Sequence, residues 1–289
     1  MPLVVENLNH IYMKGGPYET QALHDVSFTI RDGEFVGLIG HTGSGKSTLV
    51  QHLNGLLQPD SGRVLVDGTD LADKTADRKQ IRCKVGLVFQ YAEKQLFEET
   101  VEKDIAFGPK NLGLDAAEVD RRVREAMRQV ALDYETISQK SVFELSGGQM
   151  RRAAIAGVLA MKPSVLVLDE PCAGLDPHGR EEILGLIKRL HTESGATIVM
   201  VSHSMDDVAQ LAERVLVMEK GRLVMDGTPE EVFTRGEELR SMGLDVPQVV
   251  QLCEQLRARG YEIPERIYRM EDIREILLKI LKKGEHHAQ

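Results

Sequence analysis

Tryptophan is absent from the chain, and cysteine occurs three times, as Cys83, Cys172 and Cys253, widely separated and odd in number. With no C-x-x-C pair and no histidine cluster beside them, neither a disulfide framework nor a zinc site is supported, and a reducing compartment fits. No run approaches the ~20 consecutive apolar residues of a membrane helix; the longest are strand-like, such as 196–201. A basic-then-apolar leader is missing too, so the chain is expected to stay where it is made and to reach a membrane only through a partner. Basic residues are in the minority, 36 Lys and Arg against 45 Asp and Glu, and the net charge of −9 argues against a general nucleic-acid surface. Internal repeats and low-complexity tracts are also lacking, and 289 residues suffice for one large globular domain and a smaller one.

The N-terminal part reads as short alternating strands with turn signals: 3–8, 22–30 closed by Arg31-Asp32-Gly33, and 63–66 closed by Asp67-Gly68. Further on the apolar runs lose their polar alternation. Residues 35–39, 85–89, 165–168 and 197–201 are short and rich in β-branched side chains, with helix-like segments between most of them, as buried parallel strands are.

Each of these runs ends in polar groups. The first leads into Gly40-His41-Thr42-Gly43-Ser44-Gly45-Lys46-Ser47, which matches G-x-x-x-x-G-K-[ST], and the nucleotide site is expected over these residues and Thr48. A strand entering a glycine-rich turn that opens a helix aims backbone N–H groups and a positive dipole end at one point, as a polyphosphate requires. Lys46 then neutralises the β- and γ-phosphates, and the Ser47 hydroxyl is a ligand for the Mg²⁺ that bridges them. The other runs end at Gln90, at Asp169-Glu170 and at Ser202-His203. Ligands of parallel sheets bind at the carboxyl ends of the strands, so all four places are expected to converge. Asp169 is suited to hold Mg²⁺ directly or through water, and Glu170 to take a proton from the attacking water. Gln90 offers an amide oxygen to the metal or the water, and His203 a hydrogen bond to the γ-phosphate or to Glu170.

A second signature, Leu145-Ser146-Gly147-Gly148-Gln149, precedes a helix-like stretch at 150–161, and Ser146 with Gln149 forms an S-x-x-Q capping box. Two glycines in a first turn weaken a helix by roughly 1 kcal/mol each, so propensity does not explain them. Close backbone approach does, which makes this a second anion-binding surface.

These residues resemble the ATP-binding cassette (ABC) family, whose signature LSGGQ stands at 145–149. Aromatic Tyr12, the loop at 40–47, Gln90, the signature, Asp169-Glu170, Gly174-Leu175-Asp176 and His203 follow the family order across 1–235. The resemblance implies an α/β fold: an ABC-type P-loop ATPase with a mainly parallel core sheet, an N-terminal antiparallel β subdomain, a helical subdomain at about 91–160 and a helical C-terminal extension at 236–289. It implies that Tyr12 stacks on adenine, that Ser146, Gly147, Gly148 and Gln149 cover the γ-phosphate held by another subunit, and that Asp176 sits at the subunit boundary. Within the family, Val88–Val101, Ile105–Asn111, the His-Thr of the loop and Met150-Arg151-Arg152 are similar to the second ATPase type of energy-coupling factor (ECF) importers. That similarity implies an ATPase at the cytoplasmic face of the cell membrane, paired with a second ATPase subunit of sibling type or with its own copy. It further implies a transmembrane scaffold and a substrate-capturing membrane subunit, with no nucleic acid. A soluble cassette ATPase, such as a scaffold for iron–sulfur assembly, is the rival that motif content leaves standing.

Cys172 departs from the small hydroxyl residue usual in the family; a tolerated isostere is expected rather than a redox thiol. The segment after Gln90 is expected to form a groove for a short helix of the membrane subunit. Beyond 235, Asp245, Pro247, Val249, Leu252, Cys253 and Leu256 read as a capped amphipathic helix ending at Gly260, and Ile273, Ile276, Leu277, Ile280 and Leu281 as a second. Their apolar stripes are expected either to fold back on the domain or to hold two subunits together. The tail 284–289, with His286 and His287, is expected to be disordered and without a metal site.

Overall fold

Alternating and uniformly apolar runs form two different sheets in the computed structural model, which describes residues 3–73 and 83–285. The alternating segments become β1 (Leu3–Tyr12), β2 (Thr20–Ile30), β4 (Ser61–Val66) and β5 (Thr69–Asp70), an antiparallel sheet of order β2-β1-β4-β5. The uniform runs become β3 (Phe35–Ile39), β6 (Val85–Val88), β7 (Val165–Asp169) and β8 (Thr197–Val201). They pair in parallel within a second sheet of order β10-β9-β3-β8-β7-β6, completed by β9 (Arg214–Glu219) and β10 (Arg222–Gly227). These strands are apolar throughout because both faces are covered. Val36, Leu38, Val167, Val199 and Leu216 pack toward the antiparallel sheet, while Phe35, Ile39, Leu166, Leu168, Ile198 and Met200 pack into the larger, helix-covered core.

Helix α1 (Lys46–Leu53) lies between the sheets, its Leu49, Val50 and Leu53 buried in the smaller core. The other face of the parallel sheet carries α2 (Val101–Asn111), α3 (Ala116–Gln129), α4 (Tyr134–Ile137), α5 (Gly147–Leu159), α6 (Pro177–Ser194) and α7 (Met205–Leu211). Helix α3 carries ion pairs along its length, Glu118 with Arg121 and Arg122, and Asp120 with Arg124.

Two features differ from the sequence reading. The β9–β10 hairpin was not anticipated, although Val215–Met218 and Leu223–Met225 flank the tight turn Lys220-Gly221, with Lys220 at φ +47° and Gly221 at φ +76°. Asp245 does not cap the next long helix. After α8 (Pro229–Phe233) and α9 (Gly236–Ser241), α10 (Gln248–Ala258) starts at Pro247 with no side-chain cap, and the Asp245 carboxylate instead accepts from the Val246 amide and from Gln251 Nε2.

The last helix, α11 (Met270–Glu285), joins α10 in a small core of its own: Val249, Cys253, Ile263, Ile267 and Ile273. This extension folds back on the cassette. The Gln248 amide donates to Asp206 Oδ1, Arg269 Nε to the Ala209 carbonyl, and Arg266 pairs with Glu230. Leu278, on α11, remains exposed. His286 and His287, and the side chains of Ile280 and Leu281, lie outside the described residues.

Candidate active site

The four strand ends meet. A cleft of about 710 Å³ is lined by Tyr12, Thr42, Gly43, Ser44, Gly45, Lys46, Ser47, Thr48, Gln90, Asp169, Glu170 and His203. The loop glycines are required for separate reasons. A Cβ on Gly40 would overlap the Met218 carbonyl and Ser44 Oγ, and one on Gly45, at φ +101°, would meet the Ala22 carbonyl at 2.8 Å. Gly43, at φ +82°, faces open space, so a ligand can approach its backbone. Helix α1 begins at Gly45 with no side-chain cap and no acidic residue in its first turn, which leaves its N-terminal amides to an external anion. Lys46 Nζ donates to the Gly40 and His41 carbonyls. Gly40 and His41 themselves do not line the cleft, and the His41 ring sits on the Thr42 carbonyl, Nδ1 at 2.6 Å.

The turn that the sequence reading missed supports this loop. The Gly221 amide donates to the Ser44 carbonyl at 2.9 Å, and the His24 amide to the Gly221 carbonyl at 2.8 Å. A side chain on Gly221 would overlap Ala22 and His24. The same turn brings Lys220 to the cleft wall, beside Thr20, Gln21, Ala22, His24 and Val201. A Lys-Gly pair between two apolar alternating runs is a readable hairpin signal; its contact with a loop about 180 residues earlier is not.

At the other wall, Glu170 takes φ +51°, an uncommon conformation for a residue with a side chain, and its amide donates to the Val201 carbonyl. Burial, then the neighbouring Asp169, push the Glu170 carboxyl up to about 7, against the His203 amide and Lys46. Asp169 is likewise raised by burial and pulled back by Lys46. His203 Nε2 lies 3.3 Å from Glu170 Oε1, but not in line for a hydrogen bond, so that buried oxygen has no donor among the described residues. Burial, then Lys46, hold the His203 imidazole below its ordinary range, in the neutral form at pH 7. A carboxylate titrating near neutrality beside a neutral imidazole is the electrostatic setting of a general base. If Glu170 takes the proton of the attacking water, kcat/KM for ATP is expected to rise with pH through about 7 and then level off, since a base works deprotonated. A flat profile between pH 6 and 8 would remove this role from Glu170.

Ser47, Gln90 and Asp169, a hydroxyl, an amide and a carboxylate, line the same cleft. Among the described residues no group of three or more His, Cys, Asp and Glu is placed to hold a metal alone. A hard cation held by few protein oxygens and completed by substrate phosphates matches that donor set, and Mg²⁺ is such a cation. Tyr12 is half exposed, its hydroxyl 3.2 Å from Thr48 Oγ1 and its ring edge-on to His10, whereas Tyr18 does not line the cleft.

The second signature lies elsewhere. Ser146 caps α5 in a reciprocal box with Gln149, and Asp176 caps α6 by accepting from the Gly179 amide at 2.7 Å; neither side chain enters the cleft. A Cβ on Gly147 would meet nothing within 4 Å, and one on Gly148 only Glu182 Oε2 at 3.8 Å. Internal packing does not ask for these glycines. Cys172 is half-buried, its thiol pushed up to about 12 by burial and by Asp207, so it stays protonated and unreactive.

Comparison with known proteins follows this geometry. Residues 23–173 match the ABC transporter family. Over 280 residues the chain is 58% identical to the energy-coupling factor transporter ATP-binding protein EcfA2 of Clostridium tetani, covering 97% of each. It is 52% identical to that of Streptococcus pneumoniae, covering 96% of this chain and 99% of the other. Among solved structures, cbiO1 from Clostridium perfringens, part of the ABC transporter complex cbiONQ, superposes with a TM-score of 0.74 at 40% identity, over 87% of this chain and 98% of that one. A dimeric post-hydrolysis state of the cassette MJ0796 bound to ADP and Pi superposes with a TM-score of 0.69 at 30% identity, over 78% of this chain and 98% of that one.

Proposed function

The chain belongs to the ABC transporter family, among its energy-coupling factor ATP-binding proteins, and we propose that it powers an ECF-type importer of vitamins or other micronutrients. In this reading it binds and hydrolyses ATP at the cytoplasmic face of the cell membrane. It pairs with a second ATPase below a transmembrane scaffold and a substrate-capturing subunit. No helix of the described residues is long and apolar enough to cross a membrane, so force must pass through a docking surface.

One observation carries the dimeric reading: the capped, glycine-bare N-terminus of α5 faces open space instead of its own cleft. Such a surface is suited to the γ-phosphate held by another subunit, with Ser146 and Gly148 acting in trans. In cis, Lys46 and the α1 amides hold the polyphosphate, Tyr12 receives the adenine, Glu170 takes the proton of the attacking water, and His203 orients that water or the γ-phosphate. Ser47, Gln90 and Asp169 would hold Mg²⁺, which supplies charge neutralisation across the β- and γ-phosphates. ATP closes the dimer by giving each signature a ligand, and hydrolysis withdraws it, so the work done is the differential affinity of open and closed states.

The docking surface in this reading is an apolar groove of about 520 Å³ lined by Leu96, Phe97, Phe107, Leu112, Val158 and Met161. Phe97 and Phe107 are exposed and packed edge to face at 4.9 Å. The exposed side of the extension at 236–289 is a further contact between the two ATPases.

Detergent copurification tests the whole. Recovery of a second ATPase and two membrane proteins is expected, with membrane association that persists at high salt; a soluble complex would overturn it. Hydrolysis per chain is expected to fall steeply on dilution to the monomer, because the signature must come from a partner. Undiminished activity in a demonstrably monomeric sample would sink the in-trans site.

A further inference from the structure

Arg151 is the bulkiest fully enclosed side chain among the described residues, 2% exposed, and nothing in the chemistry above uses it. Its guanidinium reaches three segments that are far apart in sequence. Nε donates to Glu93 Oε2 at 2.7 Å, Nη1 to the Pro171 carbonyl at 2.6 Å and Nη2 to the Ala173 carbonyl at 3.0 Å. Arg151 itself stands one turn into α5, just behind Gly147 and Gly148. Pro171 and Ala173 belong to the turn that starts at Glu170, closed by the Ala173 amide on the Glu170 carbonyl. Glu93 belongs to the single helical turn Ala92–Gln95, which continues into the groove residues Leu96 and Phe97.

A buried guanidinium is a stiff connector. Its planar fork fixes the directions of its acceptors, and a low-dielectric surrounding makes the loss of any one of them costly. The groove turn, the signature helix and the turn after the catalytic base therefore cannot shift independently while this cluster holds.

Resting on the ECF reading above and deepening it, we propose that Arg151, through Glu93, is a positioning residue that transmits the state of the nucleotide site to the membrane-partner groove. It touches neither substrate nor partner. Because coupling between two sites is reciprocal, nucleotide must then alter the affinity of the ATPase for its membrane partners, and weakening the cluster must abolish that dependence.

The test uses the copurified ATPase pair and the membrane subunits in lipid nanodiscs, with a non-hydrolysable ATP analogue as the probe. With native Glu93 and Arg151, the affinity for the nanodiscs is expected to change about tenfold on adding the analogue. In Glu93→Gln, which keeps shape but removes the charge, that ratio is expected to fall to about two or less, with analogue affinity in the absence of nanodiscs unchanged within about twofold. Arg151→Lys, which keeps the charge but loses the fork, is expected to do the same; if it fails to fold, Glu93→Gln, altered only at an outer turn, decides the matter. A ratio unchanged in Glu93→Gln overturns the proposal. So does an equal loss of analogue affinity by the detached ATPases, which would mark the cluster as merely structural. If the native ATPases bind no membrane partner at all, the parent reading fails and this one falls with it.

Discussion

Glu170→Gln is expected to lower steady-state hydrolysis by about 10²–10⁴-fold while ATP binding persists and the closed dimer accumulates. The amide fills the same volume but cannot accept the proton of the attacking water. Lys46, Ser47, Asp169 and the α1 amides, which hold the nucleotide in the proposed site, are untouched. The same substitution is expected to raise the melting temperature. Glu170 titrates at about 7 in the folded chain, above its ordinary 4.5, so the fold disfavours its charged form. A carboxyl raised on folding weakens the fold progressively as pH climbs from the unfolded value to the folded one, and the full penalty applies above about 7. A neutral amide escapes that penalty, so the melting difference between the two proteins should widen from pH 5 to pH 7.5. Near-normal turnover would remove Glu170 as the base, and a lower melting temperature at pH 7.5 would show that its charge is not disfavoured. Both outcomes together would make the proposed base a case of activity gained against stability.

Gly148→Asp is expected to leave the isolated chain folded, with stability within about 1 kcal/mol, because a carboxylate in the first turn suits the helix dipole and partly repels Glu182. The space exists, since the nearest atom to an added Cβ is Glu182 Oε2 at 3.8 Å. Hydrolysis by the assembled dimer is expected to fall by more than about 100-fold, since a negative side chain would stand where the partner's γ-phosphate must approach. A mixed dimer locates the effect: when the variant is paired with a subunit carrying Glu170→Gln, both lesions fall on one site in the in-trans reading and the other site keeps hydrolysing, whereas an effect in cis would silence both. Equal loss of folding and activity would instead make Gly148 a packing residue.

Much of this site is legible in the sequence because its parts are local. The G-x-x-x-x-G-K-S loop, the Ser146–Gln149 capping box and the apolar strands each need only their own neighbours, through φ preferences, helix-end hydrogen bonds and two-sided burial. The β9–β10 hairpin was within reach of the same reasoning. Asp245 shows the limit of local rules: a favoured capping residue just before a proline found other donors, the Val246 amide and Gln251. What Gly221 does is not local, since its glycine requirement arises from β2 passing above the phosphate loop. Nor could sequence reveal that an arginine of the charged run after the signature is the best-buried charge among the described residues, because its three acceptors lie 58, 20 and 22 positions away and converge only on folding.

By itself, then, the sequence determined that a glycine-rich loop with a lysine opens a helix at 40–48, that carboxylates stand at a strand end, and that a second helix N-terminus is kept bare. Those are properties of short segments, set by backbone sterics and side-chain chemistry. Tertiary structure alone decided that the strand ends share one cleft, that the signature points out of it, and that Glu170 titrates near neutrality. Each of these depends on distance and burial between residues remote in the chain, and electrostatics in a poorly solvated site answers to those two quantities before any other.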